Sequence, residues 1–154
     1  MEKIKNSYFS LAFNDLRYLL RYDPDDEYSY NKVAVEAQQV VERTLKGIVE
    51  KCDAIQMDTK VKLLGTHNLR RLGTELNEHY NMNLSITDLA YLKDFYFEAR
   101  YPGDNFIIVT RTDRDKCMRI VREVLSAVLH LCDDVTDDVR EFCNDKSLKS
   151  IDAF

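Results

Sequence analysis

Ala37-Gln38-Gln39-Val40-Val41-Glu42-Arg43-Thr44-Leu45-Lys46 is a segment in which apolar residues return every three or four positions. Followed outward, the recurrence takes in Val33, Ala37, Val40, Val41, Leu45, Ile48 and Val49 and predicts an amphipathic helix from about Tyr28 to Cys52. Ala37 and Gly47 carry little or no side chain, so a neighbouring helix is able to approach closely there.

The same period governs the rest of the chain. Before this segment, Tyr8, Leu11, Ala12, Leu16, Leu19 and Leu20 make one face of a first helix. It stops ahead of Asp23-Pro24-Asp25-Asp26, because the residue before proline is pushed out of the helical region. After a polar, lysine-containing connection, Thr66 reads as the N-cap of a shorter helix carrying Leu69, Leu72 and Leu76. Ser85-Ile86-Thr87-Asp88 is an acidic capping box. It opens a helix with Leu89, Leu92, Phe95 and Tyr96 inward that ends near Arg100 and is broken by Tyr101-Pro102-Gly103. Phe106-Ile107-Ile108-Val109 is β-branched and apolar but has no second strand to pair with, and reads as an extended arm packed on the bundle or as a dimer contact. A cap in Thr112–Asp115 starts the last long stripe, Cys117, Ile120, Val121, Val124, Leu125, Val128 and Leu131. A short helix is expected around Asp137–Cys143. The fold class is therefore all-α, an antiparallel bundle of about five helices joined by short connections.

Composition narrows the functional classes. The chain has 154 residues, one domain's worth, with 45% hydrophobic and 32% charged residues, an ordinary globular balance. No apolar run approaches the length of a membrane span, and Met1–Asn6 does not read as a signal peptide. From Cys132 onward Asp133, Asp134, Asp137, Asp138, Glu141, Asp145 and Asp152 face only Arg140, Lys146 and Lys149, so most of the net charge of −5 lies in this stretch. Residues 1–131 read as the bundle and 132–154 as an acidic tail. A nearly neutral body gives no case for binding duplex DNA.

Motifs for common chemistry are missing. Neither GxxxxGK[ST] nor GxGxxG occurs, and no serine or cysteine sits in a nucleophile elbow. His67, His79 and His130 have no second ligand at metal spacing, so no metal and no cofactor are expected. Cys52, Cys117, Cys132 and Cys143 form no CxxC pair, and Cys117 falls on an apolar stripe as a small core residue. The paired acids Asp25-Asp26, Asp133-Asp134 and Asp137-Asp138 lie in polar turns or the tail and read as solvated groups.

Three short stretches carry a resemblance. Ala34, Ala37, Gln38, Gln39, Glu42, Leu45 and Lys46 follow the pattern A-x-x-A-Q-Q-x-x-E-x-x-L-K. Thr66-His67-Asn68-Leu69 follows T-H-x-L, Arg100-Tyr101-Pro102 follows R-Y-P, and Asp15-Leu16 supplies a D-L pair in the first helix. In this order, over roughly residues 8–131, the chain resembles the HEPN family. The resemblance implies a helical bundle related to the helical domain of nucleotidyltransferases. It further implies a homodimer tied to nucleotide or RNA metabolism, with a nucleotidyltransferase as partner. The expected cytoplasmic localisation rests instead on the sequence showing no membrane span or signal peptide.

Ribonuclease members of that superfamily carry Arg-x(4–6)-His, the arginine steadying phosphate and the histidine doing acid–base work. Here Arg100 is followed by Tyr101-Pro102-Gly103-Asp104-Asn105-Phe106-Ile107, with no histidine in the window. Arg71 to His79 and Arg122 to His130 are each one residue too far apart, which on a helix turns the pair by about 100°. The sequence therefore resembles the non-ribonuclease type, a nucleotide-binding or partner protein with no catalytic residues assigned. Two alternatives stand beside it: a metal-independent RNA endonuclease whose His67 meets Arg100 through the fold or across a dimer, and a structural dimer scaffolding another enzyme.

The candidate ligand site is His67, Arg70, Arg100 and Tyr101. His67 reads either as a phosphate contact at a helix N-terminus beside Arg70 and Arg71, or as a packed residue hydrogen-bonded to a neighbour. Arg100 reads either as a helix C-terminal cap or as a phosphate-and-base contact ahead of Tyr101. Gln38 and Gln39 are expected to hydrogen-bond across a bundle or dimer seam.

Overall fold

The computed structural model describes residues 6–129 and 131. Within them the chain forms α1 (Tyr8–Leu19), a 3-10 turn (Glu27–Ser29), α2 (Tyr30–Lys51), α3 (Met57–Leu64), α4 (Leu69–Tyr80), α5 (Ile86–Lys93), α6 (Phe95–Glu98) and α7 (Arg111–Leu129). No strand occurs among the described residues, and none of their helices is long and apolar enough to cross a membrane.

The predicted central helix is α2. It packs most extensively on α1 and α7 and also touches α3, α4, α5 and α6. Val33, Ala37, Val40, Val41, Leu45, Ile48 and Val49 are all buried, and they meet Phe9, Ala12, Leu16 and Leu19 of α1 and Cys117, Ile120, Val121, Val124, Leu125 and Val128 of α7 in one core. Gly47 lets α1 come close: a Cβ there would lie 2.9 Å from three carbons of the Phe9 ring. Gly73 does the same between α4 and α5, where a Cβ would fall 2.2 Å from Leu89 Cδ1. Arg43 pairs with Asp15 across the α1–α2 contact. Burial raises the Asp15 carboxyl above its usual range, and the Arg43 charge opposes that rise.

Several boundaries differ from expectation, each for a local reason. The stretch read as a polar connection contains α3, a two-turn helix whose one buried residue is Leu63 and whose Met57 and Val61 stay exposed. Asn68, not Thr66, caps α4: its side chain accepts from Arg71 N–H at 3.2 Å, while Thr66 Oγ1 accepts from Asn68 N–H at 3.1 Å. The single helix expected up to Arg100 is two segments separated at Asp94, which keeps right-handed dihedrals (φ −70°, ψ −24°). Ser85 caps α5 as expected, accepting from Asp88 N–H. The start of α7 lies two residues upstream of the expected cap. Thr110 Oγ1 accepts from Asp113 N–H, and the Asp113 carboxylate takes both the N–H and the hydroxyl of Thr110.

The arm Phe106–Val109 packs on the bundle without regular secondary structure, held by Ile107 N–H donating to the Glu98 carbonyl at 2.7 Å and by one side chain. Asn31, in the first turn of α2, donates to the carbonyls of Ala99 (3.0 Å) and Ile107 (2.8 Å) and accepts from Val109 N–H (2.8 Å). Val109 is thereby buried, while Phe106 and Ile108 stay exposed. Cys117 is a buried free thiol whose pKa burial pushes up to about 12, so it packs rather than reacts. The acidic tail 132–154, the helix expected at 137–143, Cys132, Cys143 and His130 lie outside the described residues.

Candidate functional site

The site grows from a polar stripe on the buried side of α2. Gln38, Glu42 and Lys46 recur every four residues, so they stack along one line of the helix. All three are buried, with Glu42 only 3% exposed. A carboxylate so far from water needs donors, and three converge on it. Gln38 Nε2 donates to Glu42 Oε1 at 3.3 Å, Lys46 Nζ lies 3.7 Å from Glu42 Oε2, and His67 Nδ1 sits 2.8 Å from Glu42 Oε1. Lys46 is further steadied over the Tyr8 ring at 5.8 Å. The two glutamines do not bridge helices. Gln39 Nε2 donates to Gln38 Oε1 at 2.7 Å, so their bonding runs along α2 itself.

His67 stands just ahead of the Asn68 cap, outside α4, and its side chain is 46% exposed. One edge of the ring reaches down to Glu42. Its face stacks on Tyr96 of α6, centroids 4.5 Å apart and planes 13° from parallel, and Phe97 meets it edge-on at 6.4 Å. Arg100 lies beyond the end of α6 with its guanidinium over the Tyr96 ring at 5.6 Å and the Tyr101 ring at 5.3 Å. Phe97 and Tyr101 are both more than half exposed, with rings 6.5 Å apart. The result is an open patch with one planar cation, one imidazole and three aromatic rings.

Of the four residues read from the sequence, the fold brings His67, Arg100 and Tyr101 to this patch, with Tyr96 as the common ring. Arg70 is exposed on the first turn of α4, and among the described residues no hydrogen bond, ion pair or ring contact joins its side chain to the patch. Because Asn68 provides the cap, the N–H groups that open α4 belong to the turn after His67 rather than to Thr66.

Sequence reasoning assigned no site role to Glu42 and Lys46, and it turned Tyr96 inward although the ring is only half-buried. The one trace in the sequence is polar residues at positions 38, 42 and 46, four apart, a spacing that fits a solvated helix face equally well. Among the described residues no group of three or more His, Cys, Asp or Glu side chains is placed to hold a metal ion.

No curated protein and no solved structure matches the chain. A family model described as the HEPN domain matches residues 12–131. That span takes in the α2 stripe, the His67 turn and Arg100, and the chain belongs to the HEPN domain family.

Proposed function

We propose that this HEPN domain is a partner subunit that binds a nucleotide or RNA phosphate and works with a nucleotidyltransferase, without robust catalysis of its own. The observation that carries the reading is the shared ring: Arg100 lies over the face-stacked Tyr96 that also supports His67, beside an exposed Tyr101. Arg100 supplies a planar fork that matches phosphate, Tyr101 offers a face for a base, and Arg70 adds charge at the start of α4. The same reading makes the chain a homodimer, since Phe106 and Ile108 leave apolar surface on the arm. Light scattering should give twice the 18.1 kDa chain mass, and a monomeric mass at high micromolar protein would refute that part.

Ligand at a hundredfold excess over its dissociation constant should stabilise the fold by roughly 2.7 kcal/mol, a rise of several degrees in Tm. Nucleotides and short single-stranded RNAs are the probes, and Arg100→Ala should remove the shift. No shift at millimolar ligand would overturn the proposal, and a shift that survives Arg100→Ala would move the site elsewhere.

The endonuclease reading draws on one specific observation, a histidine oriented by a buried carboxylate and sharing the Tyr96 ring with an arginine. Incubating the same RNAs in chelator separates the two. Intact RNA supports the binding reading, and cleavage lost in both His67→Ala and Arg100→Ala would replace it.

A further inference from the structure

The imidazole of His67 is held in a way that dictates what it offers a ligand. Glu42 as a carboxylate has only acceptor oxygens, and Gln38 and Lys46 already supply donors to it. The 2.8 Å contact therefore requires Nδ1 of His67 to carry the hydrogen. In the neutral ring the other nitrogen, Nε2, is then an acceptor. Among the described residues Nε2 has no hydrogen-bond partner, and the stack on Tyr96 fixes the plane in which its lone pair lies. An acceptor does not take a phosphate oxygen. It takes an O–H or N–H. The charged donor that shares the Tyr96 ring is Arg100, its guanidinium 5.6 Å from the ring centroid.

Resting on the phosphate-binding reading above, we infer that Glu42 is a positioning residue that selects the ligand. It fixes the hydrogen of His67 on Nδ1, so that in the neutral ring Nε2 is the acceptor and the site favours a phosphate whose neighbour is a hydroxyl. Arg100 takes the phosphate, and Nε2 receives the hydroxyl. The burial of Glu42 follows from this role, because a carboxylate open to water would orient the ring far less firmly.

The test compares a short oligouridylate with its 2′-deoxy counterpart of the same length, so that base and charge are constant and one hydroxyl per residue differs. Binding is followed by calorimetry. The hydroxylated strand should bind roughly three- to tenfold more tightly, the range for one neutral hydrogen bond. His67→Phe keeps a ring on Tyr96 but removes Nε2, and the paired variant Glu42→Leu with Lys46→Met removes both buried charges together. Each should bring the affinity ratio to about one. Ring nitrogen shifts in the unaltered protein give a readout that no folding defect imitates: Nδ1 should be protonated and Nε2 bare. Equal affinities for the two strands, or a proton on Nε2, overturn the inference and leave the phosphate site standing. Binding of neither strand overturns the phosphate site itself, and this inference with it.

Discussion

Replacing Glu42 with alanine should cost about 3–5 kcal/mol of folding stability, the range for breaking a buried ion pair from one side. Lys46 is only 4% exposed, and without Glu42 the partner its ammonium keeps among the described residues is the Tyr8 ring at 5.8 Å. The Gln38 amide and the His67 Nδ1–H lose their acceptor at the same time. An unpaired buried cation is the expensive product, so the paired change Glu42→Leu with Lys46→Met should stay within about 2 kcal/mol of the original. Urea denaturation with an unchanged m-value is the measurement. If Glu42→Ala costs under about 1 kcal/mol, water reaches this pair in solution and the stripe is not the anchor described above.

The second large effect should come from Asn31→Ala, at about 2–4 kcal/mol for three lost hydrogen bonds. The side chain makes all three to backbone groups of Ala99, Ile107 and Val109. Asn31→Asp should be no better, because a carboxylate still accepts from Val109 N–H but has nothing to donate to the two carbonyls. Hydrogen exchange at the Val109 amide should accelerate in Asn31→Ala, while amides in the middle of α7 keep protection relative to the lowered global stability. An unchanged Val109 amide would show that the arm is held by packing of Val109 and Ile107 instead.

The bundle was legible where side chains repeat with a helical period. All seven stripe residues read for α2 are buried, and the Pro24 turn and the Ser85 cap stand where local chemistry placed them. What was not legible depends on competition between equivalent signals. Thr66 and Asn68 are both good caps, and Thr110 and Thr112 are both threonines near the start of α7; tertiary packing decides each case. The eight residues of α3 bury only Leu63, and the short run Met57, Val61 and Leu64 at helical spacing does not stand out among the lysines and acid of a polar stretch.

For the site, residue type pointed to His67, Arg100 and Tyr101, but the ring that joins them did not stand out. Tyr96 follows Phe95 in an aromatic run, and only the interruption at Asp94 shows which ring faces His67. Glu42 was hidden for a different reason: a glutamate between Gln38 and Lys46 at fourfold spacing looks like a solvated helix face until its burial is known.

Asn31 and Glu42 lie on the same helix, and their spacing acts as a gauge. Eleven residues separate them, close to three full turns, so both project from nearly the same side of α2 at a separation of roughly 16 Å. The upper one pins the chain just after α6, and the lower one pins the histidine that leans on α6. One added or deleted residue between them would rotate one anchor by about 100° relative to the other. Either the arm or His67 would then lose its hold. The length of α2 between these two positions is thus a fixed dimension of the aromatic patch, although neither residue at its ends belongs to the patch's exposed surface.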